Sequence, residues 1–184
     1  MRYLFLIVIC VVSFSYAYAD EHFVIYRMGE RDQAAWGMFK KYFSAKGYNM
    51  SYYDGADSIE KHIENVNKIN TSNGTVFLAI DLAFGGTGSS VLVAATNARR
   101  GKGNIPDIDE VPAMHINDSM ELATMIAAPF NKKIKKMPLF MVLGVDMPGI
   151  FLRLESPKDK AGEIFDRLHE GLQKYAKRGI KDER

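Results

Sequence analysis

Val76-Phe77-Leu78-Ala79-Ile80-Asp81 is the stretch on which the fold turns. Five apolar residues in succession, with no polar alternation, predict a strand covered on both faces, as in the centre of a parallel sheet. The run ends on a carboxylate, Asp81, and leads into the turn Gly85-Gly86-Thr87-Gly88. A polar group at the carboxyl end of a central strand stands where open α/β sheets place their ligands.

Outward from this strand, strand and helix signals alternate. On its amino side, Phe23-Val24-Ile25-Tyr26 reads as a strand, and Ala35, Met38, Phe39, Tyr42 and Phe43 form a helical stripe ended by Gly47. Residues 48–53 read as a second strand, and Asp57-x-x-Glu60 as a capping box opening a helix with Ile59, Ile63, Val66 and Ile69 on one face. On the carboxyl side, Val91-Leu92-Val93 reads as a strand, and 97–116 as a long polar excursion of the kind that is often functional. Asp118-x-x-Glu121 opens the next helix, carrying Leu122, Met125, Ile126 and Phe130, with Pro129 shortening or kinking it.

Two further apolar runs, 140–145 and 150–154, are separated by Asp146-Met147-Pro148-Gly149. Ser156 and Pro157 read as the cap and first residue of a last helix that buries Ile164, Phe165, Leu168, Leu172 and Tyr175 and stops at Gly179. This alternation predicts a single three-layer α/β/α domain with a mainly parallel sheet.

Residues 1–19 read as an export signal, with Arg2 as the positive end, an apolar run from Leu4 to Phe14 and the cleavage site Ala17-Tyr18-Ala19. The run falls short of the ~20 apolar residues a membrane span needs. The expected mature chain is one domain, 20–184, periplasmic or secreted and with no membrane segment. Cys10, the one cysteine, lies in the leader, so the mature chain has no disulfide, thiolate nucleophile or cysteine metal ligand. Loss of Arg2 changes 24 basic and 22 acidic residues to 23 and 22, a net charge of +1 with His neutral. That balance excludes the strong basic footprint of a nucleic-acid partner.

Glu30-Arg31-Asp32, Lys46-Gly47-Tyr48, residues 77–81, residues 119–123 and Met147-Pro148 together resemble passages of the zinc-dependent N-acetylmuramoyl-L-alanine amidases, which hydrolyse peptidoglycan. Glu30-Arg31-Asp32, followed by a helix and Lys46-Gly47-Tyr48, resembles that family's Glu-Lys-Asp, helix, Ala-Gly-Tyr passage. Residues 77–81 stand in the place of its Phe-Ile-Ser-Ile-His, and 119–123 resemble its Ser-x-x-Leu-Ala helix start. Met147-Pro148-Gly149-Ile150-Phe151-Leu152-Arg153-Leu154 has the cadence of its last core strand, which carries the catalytic glutamate. The resemblance implies the amidase fold and maps a zinc-ligating glutamate onto Glu30.

The departures fall on the chemistry. Asp81 stands where the family has a ligating histidine, Arg153 where it has the catalytic base, and Tyr26-Arg27-Met28-Gly29 leaves no place for its His-Gly-Gly loop. Catalytic zinc needs three protein ligands and an open position. The expectation is therefore an exported protein with no metal and no catalytic residue. It would bind a peptidoglycan fragment or an envelope protein in a cleft formed by Glu30, Asp81, Gly85, Gly86, His115 and Arg153. Glu30, Asp81 and Arg153 are expected to form a carboxylate–guanidinium cluster in place of the ion.

Two alternatives stand beside this reading. One is an active zinc amidase with a rearranged site of Glu30, Asp81 and His115. The other is a structural partner subunit whose cleft is filled by its own side chains. Of the remaining histidines, His22 lies at the new amino terminus, and His62 and His169 read as solvated helix positions. Arg99, Arg100 and Lys102 read as a solvated basic loop, and Lys132, Lys133, Lys135 and Lys136 as cations following a helix carboxyl terminus.

Overall fold

The computed structural model describes residues 21–29, 32–102 and 105–178. The expected export signal, Glu30 and the Gly179 helix stop lie outside the described residues. Among these residues the sheet strands are β1 (His22–Met28), β2 (Asn49–Asp54), β3 (Val76–Phe84), β4 (Ser90–Thr96), β5 (Ile134–Met137) and β6 (Gly149–Ser156). The helices are α1 (Gln33–Ala45), α2 (Ile59–Asn70), α3 (Ile116–Ala127) and α4 (Ala161–Ala176). The sheet order is β2-β1-β3-β6-β4-β5. Strands β2, β1, β3 and β6 run parallel, β4 runs antiparallel to β6, and β5 runs parallel to β4.

Strand alternation sends Phe23, Ile25, Leu78, Ile80, Leu152 and Leu154 to one face, where α1, α3 and α4 cover them. Val24, Tyr26, Phe77, Ala79 and Ala94 go to the other, under α2 and the segment 139–147. The result is the expected three layers, with β3 in the interior of the sheet. Val76 to Ile80 have no exposure. Beyond Ile80 the coverage becomes one-sided. Leu82 and Phe84 stay buried, whereas Asp81 and Ala83, which point to the α2 side, are only partly covered. The floor of the cleft is this uncovered end of β3.

Helix ends show how local chemistry departs from the expected caps. Helix α1 is capped by Asp32, whose Oδ1 accepts from the N–H groups of Ala34 and Ala35. It stops at Gly47, whose φ of 78° supplies the left-handed turn. The cap of α2 is Ser58 rather than Asp57, with Oγ accepting from Lys61 N–H at 3.3 Å. Its buried face is His62, Asn65, Val66 and Ile69, so the expected stripe is rotated and Ile59 and Ile63 are exposed.

Helix α3 begins at Ile116, directly after a tight turn over Val111–His115 containing Pro112, and has no side-chain cap from Asp118. It ends at Ala127, and Pro129 sits in the turn that follows. Ser156 does not cap α4. It is the last, fully buried residue of β6, and a turn over Lys158–Lys160 intervenes before α4 starts at Ala161. The apolar run 140–145 packs as a turn and loop, while Lys135 and Lys136 lie on the edge strand β5, where lysines discourage edge pairing.

Candidate binding cleft

Parallel register brings Asp81 of β3 directly beside Arg153 of β6, and Ala83 beside Glu155. Because strand side chains repeat every two residues, Arg153 and Glu155 share a face. Arg153 Nε lies 2.6 Å from Glu155 Oε1 and 3.7 Å from Asp81 Oδ2. The guanidinium is held above its ordinary pKa by the hydrogen bond it donates to Glu155, then by the charges of Glu155 and Asp81. The Asp81 side chain is 15% exposed and that of Arg153 51%, so the pair spans the step from sheet floor to open cleft. It is not a buried ion pair.

The end of β1 fixes this arrangement from the other side. Gly29 has φ 69°, and a Cβ there would lie 2.0 Å from Asp81 Oδ1. Only glycine meets both demands, left-handed backbone and contact with a carboxylate. Gly29, Asp32, Asp81, Gly86, Arg153 and Glu155 line a cleft of about 740 Å³, with Gly88, Ser89 and Ser90 completing the wall. Gly85 turns the chain at φ 129° and donates its N–H to Ser156 O at 3.0 Å, but does not line the cleft.

His115 is placed elsewhere. Its Nε2 lies 2.9 Å from Asp146 Oδ1, and Asp146 N–H is bound by Asn70 Oδ1 at the amino ends of β3 and β6. Gly149 and Arg153 alone are separated by roughly 13 Å along β6, at a strand rise of about 3.3 Å per residue. One ion held at about 2.0–2.2 Å cannot join Asp81 to His115. The donors among the described lining residues also fit zinc poorly: carboxylates beside a fixed cation, and no imidazole. Among the described residues no group of three His, Cys, Asp or Glu is arranged to hold a metal ion.

His62 and His169 also differ from the sequence expectation. His62 is fully buried. Tyr26 Oη lies 3.2 Å from its Nδ1, Leu143 O 3.0 Å from its Nε2, and the ring stacks on Phe140. Leu143 O can only accept, so the imidazole proton of neutral His62 sits on Nε2, and Tyr26, whose Oη accepts from Ala56 N–H, donates to Nδ1. His169 is partly buried, with Nδ1 2.8 Å from Tyr48 Oη. Burial pushes both imidazoles below their ordinary pKa. Arg99 is exposed, as expected, and borders a second hollow of about 420 Å³ with Leu139, Phe140 and Leu143.

Sequence reading missed Glu155, Asp32, Gly29, Ser89 and Ser90. Glu155 carried a signal, since it stands two residues beyond Arg153 on the same strand and so on the same face. The convergence of the glycine at the end of β1 with Asp81 had none, because it depends on strand order.

No protein-family model and no curated protein matches the chain. Among solved structures it is similar to the catalytic domain of CwlV, an N-acetylmuramoyl-L-alanine amidase from Bacillus (Paenibacillus) polymyxa var. colistinus. The TM-score is 0.53 at 10% identity, over 84% of this chain and 97% of that one. The N-acetylmuramoyl-L-alanine amidase AmiC2 of Nostoc punctiforme matches with a TM-score of 0.49 at 10% identity, over 85% and 98% of the two chains. The six-stranded, mostly parallel sheet and its flanking helices match the fold of an N-acetylmuramoyl-L-alanine amidase catalytic domain.

Proposed function

We propose that this chain is an exported, non-catalytic protein of the amidase fold that holds a peptidoglycan fragment or an envelope protein in the cleft at the carboxyl ends of β3 and β6. The observation that carries this reading is the placement of Arg153 beside Asp81. A guanidinium is always protonated, so it cannot take a proton from an attacking water, and it repels a divalent cation. The cleft has a volume of about 740 Å³, however, and Arg153 is half exposed within it. That favours a binder over a structural subunit with a filled cleft, as does the loop around Ile108, which packs on Gly144 at the far end of the sheet.

Zinc retention tests the non-catalytic part of this reading. The mature protein, exposed to excess zinc and desalted, is expected to hold none. About one zinc per chain, together with peptidoglycan hydrolysis lost in Glu30→Ala, would establish the active amidase instead.

A further inference from the structure

The sheet ends on an open edge at β5. Met137 O accepts from Asn97 N–H, so Met137 and Lys135 turn their backbone groups inward to β4. Ile134 and Lys136 turn theirs outward, where no described residue hydrogen-bonds to them. The side chains of Lys135 and Met137 stand on the same face as their neighbours Ala94 and Thr96. Thr96 in turn lines the hollow of about 420 Å³ with Leu139, Phe140 and Leu143. Met137 and Phe140 are exposed. An unpaired strand edge and an apolar hollow thus adjoin, at the end of the sheet opposite to Asp81 and Arg153.

Charge decides what this edge admits. Lys132, Lys133, Lys135 and Lys136 are exposed, and none forms an ion pair with a described residue. Arg99, Arg100 and Lys102, on the segment that leaves β4, are exposed as well. Neither 97–106 nor 131–138 contains an acidic residue, and the acidic side chain lining the hollow is Asp109. A second copy of β5 would set lysine opposite lysine, which opposes pairing. An acidic strand reverses that sign. Lys135 and Lys136 point to opposite faces of the sheet, so a carboxylate on either face of the added strand meets a lysine.

We infer that β5 is a docking edge for an extended acidic segment of a partner protein, which adds a strand to the sheet and sets an apolar side chain in the hollow beside Phe140. Main-chain pairing supplies the attachment, the lysines select the charge and the hollow selects the apolar anchor. The inference does not depend on what the cleft at the other end of the sheet holds.

The probe is the dye-labelled peptide Glu-Val-Glu-Val-Glu-Leu. Its comparison forms carry Lys for Glu, Ser for Leu, or N-methyl groups at alternate residues along one edge or the other. Fluorescence anisotropy with residues 20–184 is read beside backbone amide hydrogen exchange. The acidic peptide is expected to bind and to slow exchange at the outward amides of Ile134 and Lys136. The Lys form, the Ser form and one of the two methylated forms are expected to bind at least about tenfold more weakly, a difference of about 1.4 kcal/mol. Lys135→Glu combined with Lys136→Glu is expected to weaken the acidic peptide and admit the Lys form.

Both lysines are exposed, unchanged thermal unfolding would show that the variant folds, and the peptide forms test the inference on wild-type protein alone. No binding, equal binding of the Glu and Lys forms, or binding that leaves exchange at Ile134 and Lys136 unchanged would overturn it. Protein that ignores the peptide but floats with phosphatidylglycerol vesicles would assign the surface to a membrane and overturn it. Slowing of those amides that grows with protein concentration, without peptide, would assign the edge to a second copy and overturn it.

Discussion

Asp81 and Arg153 stand side by side across the parallel β3–β6 pair, with Arg153 Nε 3.7 Å from Asp81 Oδ2. The relationship is set by register, so it needs no flexible loop to form. Each strand ends its covered run and turns one charged side chain toward the same opening. Gly29 closes the third side by lending Asp81 a backbone surface without a Cβ.

Gly29→Ala is therefore expected to be costly. The new methyl group meets the Asp81 carboxylate and sits on a left-handed backbone, which costs an ordinary residue about 1–3 kcal/mol. Urea unfolding would show a lower midpoint with an unchanged slope. A midpoint equal to wild type would place the Asp81 carboxylate elsewhere.

Two glycines of α4 separate helix propensity from packing. At Gly171 a Cβ would come within 2.7 Å of Ile126 Cα and 2.9 Å of Met125 O, where α4 crosses α3. At Gly162 it would meet nothing within 4 Å. Gly162→Ala is expected to stabilise by up to about 1 kcal/mol. Gly171→Ala is expected to destabilise by about 1–3 kcal/mol through overpacking. Thermal melts of the two variants side by side would decide the point.

Ser119 anchors the start of β6 to α3, its buried Oγ accepting from Gly149 N–H at 2.9 Å. Ser119→Ala leaves that N–H without its partner, at a cost of about 1–3 kcal/mol. The loss is at the amino end of β6, away from the cleft, so sedimentation with peptidoglycan measured in the cold, where the variant is folded, is expected to match wild type.

Acid is expected to weaken the fold through His62 and His169. Burial lowers the folded pKa of both, and the Lys46 charge adds to the effect at His169. Below the unfolded value of about 6.5 the unfolded chain takes up protons that the native rings refuse, so stability is complete above that pH and falls below it. Urea midpoints at pH 7.5 and pH 5.5 test the sign. The native ring signals followed by NMR should titrate below the ordinary histidine range. A ring that protonates above that range would contradict the packing of His62 between Tyr26 and Leu143.

The layers and the place of β3 were legible because buried strands and helical stripes are local patterns. What escaped the sequence was settled by partners far along the chain. His62 reads as polar and solvated, yet it is buried because Tyr26 and the carbonyl of Leu143 satisfy both ring nitrogens, which turns α2 and exposes Ile59 and Ile63. Strand β5 was hidden by its lysines, whose charge marks an edge rather than the absence of a strand. At the site, Asp81 and Arg153 stand at positions given by the resemblance. His115 was assigned to the cleft by its nearness to a long loop, and strand direction put it at the other end of the sheet.

The most direct test of the central claim is sedimentation of residues 20–184 with dye-labelled, purified peptidoglycan in the presence of excess zinc. Bound protein is measured in the pellet and released dye in the supernatant. The account predicts protein in the pellet, less of it for Arg153→Gln, and no dye release above buffer. Dye release that disappears in Glu30→Ala would contradict it.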